Sequence, residues 1–149
     1  MPTIYSYQKF IDQQRTIELK LPQLSDEPIG TELATIGEWT YVSIPDGYNL
    51  PEQPDEIALS VGEVELTPQL RVSILDASPH CRLINQRMIE KIRSAYTLDD
   101  EMYFARIGVG AANGLYEPTE DEMQEMTVFG QFVESVRQWG RDQRTALGL

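Results

Sequence analysis

The chain has 149 residues, carries a net charge of −12 with a pI near 4.4, and is 41% apolar. That charge argues against nucleic acid and against an anionic membrane surface, since binders of either need a basic face to displace counterions. The apolar fraction suits one folded domain, or a compact helical unit with a small β-rich companion, and no apolar run approaches the ~20 residues a membrane helix requires. Cys81 is the only cysteine, so no intrachain disulfide forms, and MPTIYSYQKF lacks the charged start and apolar core of a signal peptide; the chain is expected to fold first in a reducing cytoplasm.

Residues 1–66 read as strands and turns. Ile17, Leu19 and Leu21 alternate with Glu18 and Lys20, the period of a half-buried strand, which Pro22 stops. Ser25-Asp26-Glu27-Pro28 reads as a surface loop. Trp39 to Ile44 is the strongest strand, because every residue but Ser43 is aromatic or β-branched, and Pro45-Asp46-Gly47 turns the chain after it. Residues 48–56, with Pro51 and Pro54, read as a semi-rigid extended arm. Ile57 to Leu66 suggests one or two short strands broken at Gly62.

From Thr67 the period becomes helical. Thr67-Pro68 opens a short helix to about Ala77, and Ser78-Pro79 starts a second, with Ile84, Met88 and Ile92 recurring every fourth residue and Leu83 and Ala95 widening the stripe. Thr97 with Asp100 caps a third, holding Met102, Ala105 and Phe104. Gly108, Gly110, Asn113 and Gly114 predict a flexible connection. Thr119 with Glu122 opens the last helix, striped by Met126, Phe129, Val133 and Val136 and broadened by Phe132 and Trp139. The expected fold class is therefore α+β, with a β-rich region over 1–66 and a bundle of about four helices over 67–149.

Charge is uneven: residues 1–79 hold 13 acidic and 4 basic side chains, residues 80–149 hold 11 and 8. The acidic half either docks a basic partner or keeps the protein soluble by self-repulsion, the second being the simpler account.

No candidate chemistry is compelling. His80 and Cys81 are adjacent, but neighbours on a helix point about 100° apart, and no further His or Cys completes a metal site. Asp99-Asp100-Glu101 and Glu120-Asp121-Glu122 offer carboxylates to a hard cation, yet both sit where helix N-termini favour negative charge. The run Gly108 to Gly114 loosely echoes a phosphate loop but contains no lysine and follows a helix, so a hinge is the better account. The chain reads as a non-enzyme with neither metal nor cofactor.

Three stretches, Thr67 to Arg87, Ile92 to Glu101 and Phe132 to Leu149, together resemble small proteins of the tail modules of contractile-tailed bacteriophages and prophages, from the baseplate and tail-fibre region. The closing Trp139-Gly140-Arg141, Arg144 and Leu147 also resemble the end segment of tail-fibre assembly proteins. The resemblance implies a virion tail component, assembled in the host cytoplasm, that joins fibre to baseplate within a homo- or hetero-oligomer. An assembly chaperone absent from the particle is the alternative, and a small acidic metal protein or enzyme the second. Trp39, Tyr41, Tyr96, Tyr103, Tyr116 and Trp139 are the interface candidates, since Trp and Tyr dominate contact energetics.

Overall fold

A computed structural model describes all 149 residues and has the expected α+β order, a β-rich N-terminal part followed by helices. Strands β1 (Thr3–Tyr7), β4 (Thr31–Ile36), β5 (Trp39–Ile44) and β6 (Gly62–Glu63) form an antiparallel sheet in the order β4-β5-β1-β6, and β2 (Gln23–Leu24) pairs with β3 (Glu27–Pro28) in a separate ribbon. Five helices are present: α1 (Asp55–Ala58) within the β-rich part, then α2 (Pro68–Ala77), α3 (Pro79–Ala95), α4 (Leu98–Ala112) and α5 (Glu120–Ala146). The chain divides into two compact units, residues 1–83 with 142–149, and residues 84–141; the divisions fall inside α3 and α5.

In the first unit the sheet is buried on both faces. Side chains alternate along a strand, and the register of β1 on β5 places Tyr5 opposite Val42 and Ile4 opposite Ser43. Tyr5, Tyr7, Val42 and Ile44 face one core, while Ile4, Tyr41 and Leu33 face another. A one-residue bulge between Glu32 and Ala34 leaves Leu33 without a direct partner on β5 and turns it inward, where it is fully buried. Gly37, at φ +61, begins the two-residue turn that joins β4 to β5, a position that favours glycine in hairpins. Thr40 is also fully buried and shares a 2.9 Å hydroxyl hydrogen bond with Thr35 across the strands.

Helix α2 covers the Ile4–Leu33 face. Thr67 Oγ1 accepts from the Leu70 N–H at 3.2 Å, Pro68 occupies the first turn, and Ile74, Leu70 and Leu75 pack inward with Leu147 and Leu149. Ser78 ends α2 in extended geometry, and its hydroxyl accepts from the Cys81 N–H at 3.4 Å, starting α3.

The opposite face corrects three expectations. Ile17 to Leu21 is not a strand. Its apolar side chains pack on Tyr7 and Val42 as the period suggested, but its backbone joins no sheet: the Ile17 N–H donates to the Lys9 carbonyl at 2.9 Å, and Gln53 accepts from the Lys20 N–H at 2.8 Å and donates to the Lys20 carbonyl at 2.9 Å. Burial pushes the Tyr7 phenol above its usual 10.0, partly offset by a backbone hydrogen bond from Leu19. Residues 48–56 are likewise no free arm, because Tyr48 and Leu50 pack against the same core and Pro54 leads into α1, which buries Ile57. Ile57 is thus helical rather than extended, and Gly62 lies within β6 instead of breaking a strand. Ser25 and Asp26, both at positive φ, make the tight turn between β2 and β3.

The second unit is helical and lightly buried. Ile84, Ile107 and Val136 are its buried apolar side chains, and Gly140 is buried where a Cβ would collide with Met88. Leu83, read above as widening the α3 stripe, is exposed, as is Ala95; the inward line on that helix is Cys81, Ile84, Met88 and Ile92.

Gln53→Ala removes the side-chain clamp on Lys20 and should lower stability by about 1–2 kcal/mol. Trypsin should then cut after Lys20 in the variant while the parent chain resists. Equal cleavage of the two proteins would show that the clamp does not hold this segment.

Candidate functional site

The chemistry-bearing residues do not converge. His80 is exposed on the first turn of α3, whereas Cys81 is buried among Ile4, Leu33 and Ile74, so thiol and imidazole occupy different environments. No group of three or more His, Cys, Asp or Glu side chains comes together in a geometry that would hold a metal ion.

The acidic triplets are engaged locally. The Thr97 N–H donates to Asp100 Oδ2 at 2.8 Å and the Asp100 N–H donates to Thr97 Oγ1 at 3.1 Å, a reciprocal capping box. The Thr97 backbone N–H first, and then the Thr97 side-chain hydroxyl, hold the Asp100 carboxyl below the usual carboxylate range. Glu101 pairs with Arg93. At α5, Glu122 accepts from the Tyr116 hydroxyl at 2.7 Å and the Thr119 hydroxyl at 3.2 Å, while its own N–H donates to Thr119 Oγ1 at 3.2 Å.

Gly108 and Gly110 are not a hinge. Helix α4 runs through both to Ala112, and only Asn113 to Thr119 connects it to α5. Their lack of a side chain serves close packing: a Cβ at Gly110 would stand 3.1 Å from Tyr116 Cβ, and one at Gly108 would stand 3.4 Å from Met126 Cε. The turn is closed by the N–H groups of Leu115 and Tyr116, which both donate to the Gly110 carbonyl at 2.9 and 3.2 Å.

The six interface candidates are dispersed. Trp39 is partly exposed beside Phe10, Leu59 and Glu56, and Tyr41, two residues along β5, packs into the Ile4 core. Tyr96 sits in an aromatic cluster, 4.9 Å from Phe129 and 5.6 Å from Phe132 between ring centres, with Phe104 stacked on Phe129 at 4.8 Å. That cluster borders an open depression of about 430 Å³ rimmed by Asp121, Gln124, Glu125 and Val128. Trp139 carries the Lys91 ammonium 3.7 Å from a ring centre, which occupies one face of the indole. Tyr103 and Tyr116 are brought together: both are exposed and line a shallow cavity of about 330 Å³ with Arg106, Ile107 and Glu122.

Of the three apolar residues named above for helix α4, Met102 is 53% exposed and Ala105 is exposed as well. Phe104, the third, takes an inward position together with Ile107, because the helix buries the side next to Phe129 and Met126. Leu98 and Val109 join Met102 on the exposed side. The signal was present as a four-three-four-three spacing of apolar residues from Leu98 to Ala112, a second stripe beside the inward one.

No protein-family model, no curated protein and no solved structure matches this chain.

The Tyr116 phenol is raised above 10.0 chiefly by its hydrogen bond to Glu122, and that of Tyr103 by partial desolvation against its neighbours and then by the Glu122 and Glu125 charges. Both phenols are therefore held protonated past the pH at which the unfolded chain would release the proton. Whatever stability this adds is complete below pH 10 and fades as pH rises through the folded values. Glu122→Gln should move both titrations down, seen as an earlier rise of tyrosinate absorbance. An unchanged titration curve would show that Glu122 does not govern them.

Proposed function

We propose that this chain is a structural component of a contractile phage tail, an adaptor that links tail fibre to baseplate through protein–protein contacts. The observation that carries the reading is the imbalance of the helical unit. Ile89, Leu98, Met102, Tyr103, Val109, Leu115, Tyr116, Met123 and Val128 are all exposed there, against three buried apolar side chains. Isolated exposed apolar residues are ordinary, but this concentration fits a surface that other proteins cover. The resemblance of residues 67–149 to tail-module proteins supplies the setting, and the acidic surface suits contact with protein better than with nucleic acid.

The β-rich unit offers a second mode of contact. Strand β4 is an edge of the sheet, where an extended segment of a neighbour would add a strand through main-chain hydrogen bonds. Its bulge at Leu33 interrupts that edge, which limits indiscriminate pairing.

A fibre-assembly chaperone is the second reading, favoured by the likeness of the Trp139 to Leu149 segment to assembly proteins. In this chain, however, Gly140, Leu147 and Leu149 serve internal packing within their own units, so the likeness there concerns folding as much as contact.

Mass spectrometry of purified particles from the source should find this chain at a fixed ratio to the baseplate proteins. Its absence from particles, with recovery on free fibres in the lysate, would favour the chaperone. A solitary protein carrying a small ligand or metal ion would overturn both readings.

A further inference from the structure

Helix α4 presents two different apolar faces. Phe104 and Ile107 are turned inward, and Leu98, Met102, Ala105, Val109 and Ala112 form a separate stripe on the other side. At 100° per residue these five fall within about 80° of arc, along about 21 Å of helix. Leu98, Met102 and Val109 are 57%, 53% and 61% exposed, and both alanines are exposed, so no element of the chain covers the stripe. A strict alternation of four and three residues is the pattern of a helix that packs against another helix as a coiled coil.

What the stripe fits is legible from its margins. Asp99 and Arg106, seven residues apart and both exposed, lie along one side of it. Glu101 and Gly108 lie along the other, and Glu101 is already engaged by Arg93. The Asp99–Arg106 margin is self-complementary when reversed. If a second α4 runs antiparallel with Leu98 opposite Val109, Asp99 of each helix stands beside Arg106 of the other, so the pair forms twice. In the same register Met102 lies opposite Ala105, a long side chain against a short one in both central layers. A parallel pairing would instead set Met102 on Met102 and Ala105 on Ala105, and would leave Asp99 without a cation.

We infer that the outer face of α4 is the interface of a two-fold symmetric homodimer, with the α4 helices antiparallel. Its occupant is a second copy of this chain, and the interface is isologous, each contact occurring twice. This goes beyond the tail reading and does not depend on it. A single helix face is smaller than the ~1,600 Å² of a standard interface, so the association belongs with weak, reversible contacts.

Sedimentation velocity of the full chain through the tens of micromolar range should show a species of twice the 17.0 kDa monomer mass. Met102→Glu places a charge in the seam and should leave a monomer; Val109→Glu serves the same purpose should the first variant lose helical circular dichroism. Asp99→Arg alone and Arg106→Glu alone should each weaken the dimer at least tenfold, and the two together should restore it. Under oxidising conditions the double variant Leu98→Cys with Val109→Cys should cross-link into a dimer, whereas Leu98→Cys alone should not. A monomer throughout the concentration range overturns the proposal. So does a dimer indifferent to Met102→Glu and to the charge reversals, and cross-linking of the single Leu98→Cys variant overturns the antiparallel arrangement.

Discussion

Tyr7 and Val42 point to one side of the paired β1 and β5 strands, Ile4 and Tyr41 to the other, and the sheet must therefore be covered twice. Most of the first unit follows from that requirement. Helix α2 and the leucines at 147 and 149 close one face, and irregular segments with the single turn of α1 close the other. A helix can cover a sheet because its backbone hydrogen bonds are internal. An extended segment brings unpaired N–H and C=O groups with it, and these need partners wherever water is excluded. At the solvent-facing edge of the covering segment Gln53 bonds both backbone groups of Lys20, and no buried side-chain polar atom is left without a partner.

Structure was legible in the sequence where it is set by neighbours in the chain. Thr67, Ser78, Thr97 and Thr119 each cap the helix they were expected to open, because capping is a bond between residues two or three apart. Trp39 to Ile44 was recognisable for a similar reason: its β-branched and aromatic side chains suit a strand on either face. Ile17 to Leu21 failed on partners. Alternation showed correctly that the segment is half-buried, but whether a neighbouring strand is available is a long-range matter. Strands β1 and β4 were missed, although Thr3 to Tyr7 and the Gly37 turn carry modest strand and hairpin signals. The glycines of α4 misled because glycine is common both in hinges and where another side chain approaches closely, and only the positions of Tyr116 and Met126 decide between them. The candidate contact residues were the least legible part. Aromatic type picked out Tyr103 and Tyr116, which are exposed, and equally Tyr41, which is packed into a core.

The helical unit is held differently from the sheet. Its interior relies on edge-on and stacked aromatic rings around Tyr96, Phe104, Phe129 and Phe132 and on close approach at Gly108 and Gly140, with few aliphatic side chains fully enclosed. Local terms support it: the Thr97–Asp100 capping box, the Glu122 bonds at the start of α5, and the Arg93–Glu101 pair. Most of these are at the surface, where each ion pair or cap contributes about 1 kcal/mol or less. A unit with so small an interior gains more than a well-filled one would from covering Leu98, Met102 and Val109, since burying one such side chain is worth roughly 1.5–3 kcal/mol.

Self-association of a chain with a charge of −12 must overcome repulsion between the copies. That repulsion is long-range and diffuse. At physiological ionic strength it is screened over about 8 Å, so acidic groups on the far sides of two molecules scarcely interact. Nearby groups therefore weigh most, and those α4 itself sets along the margins of the stripe are Asp99 and Arg106 on one side and a Glu101 already matched by Arg93 on the other. The margins of the stripe on α4 are thus balanced in a protein that is strongly acidic overall. An apolar seam with matched margins on an otherwise repulsive surface confines association to one geometry: copies that meet elsewhere repel, and copies that meet here do not.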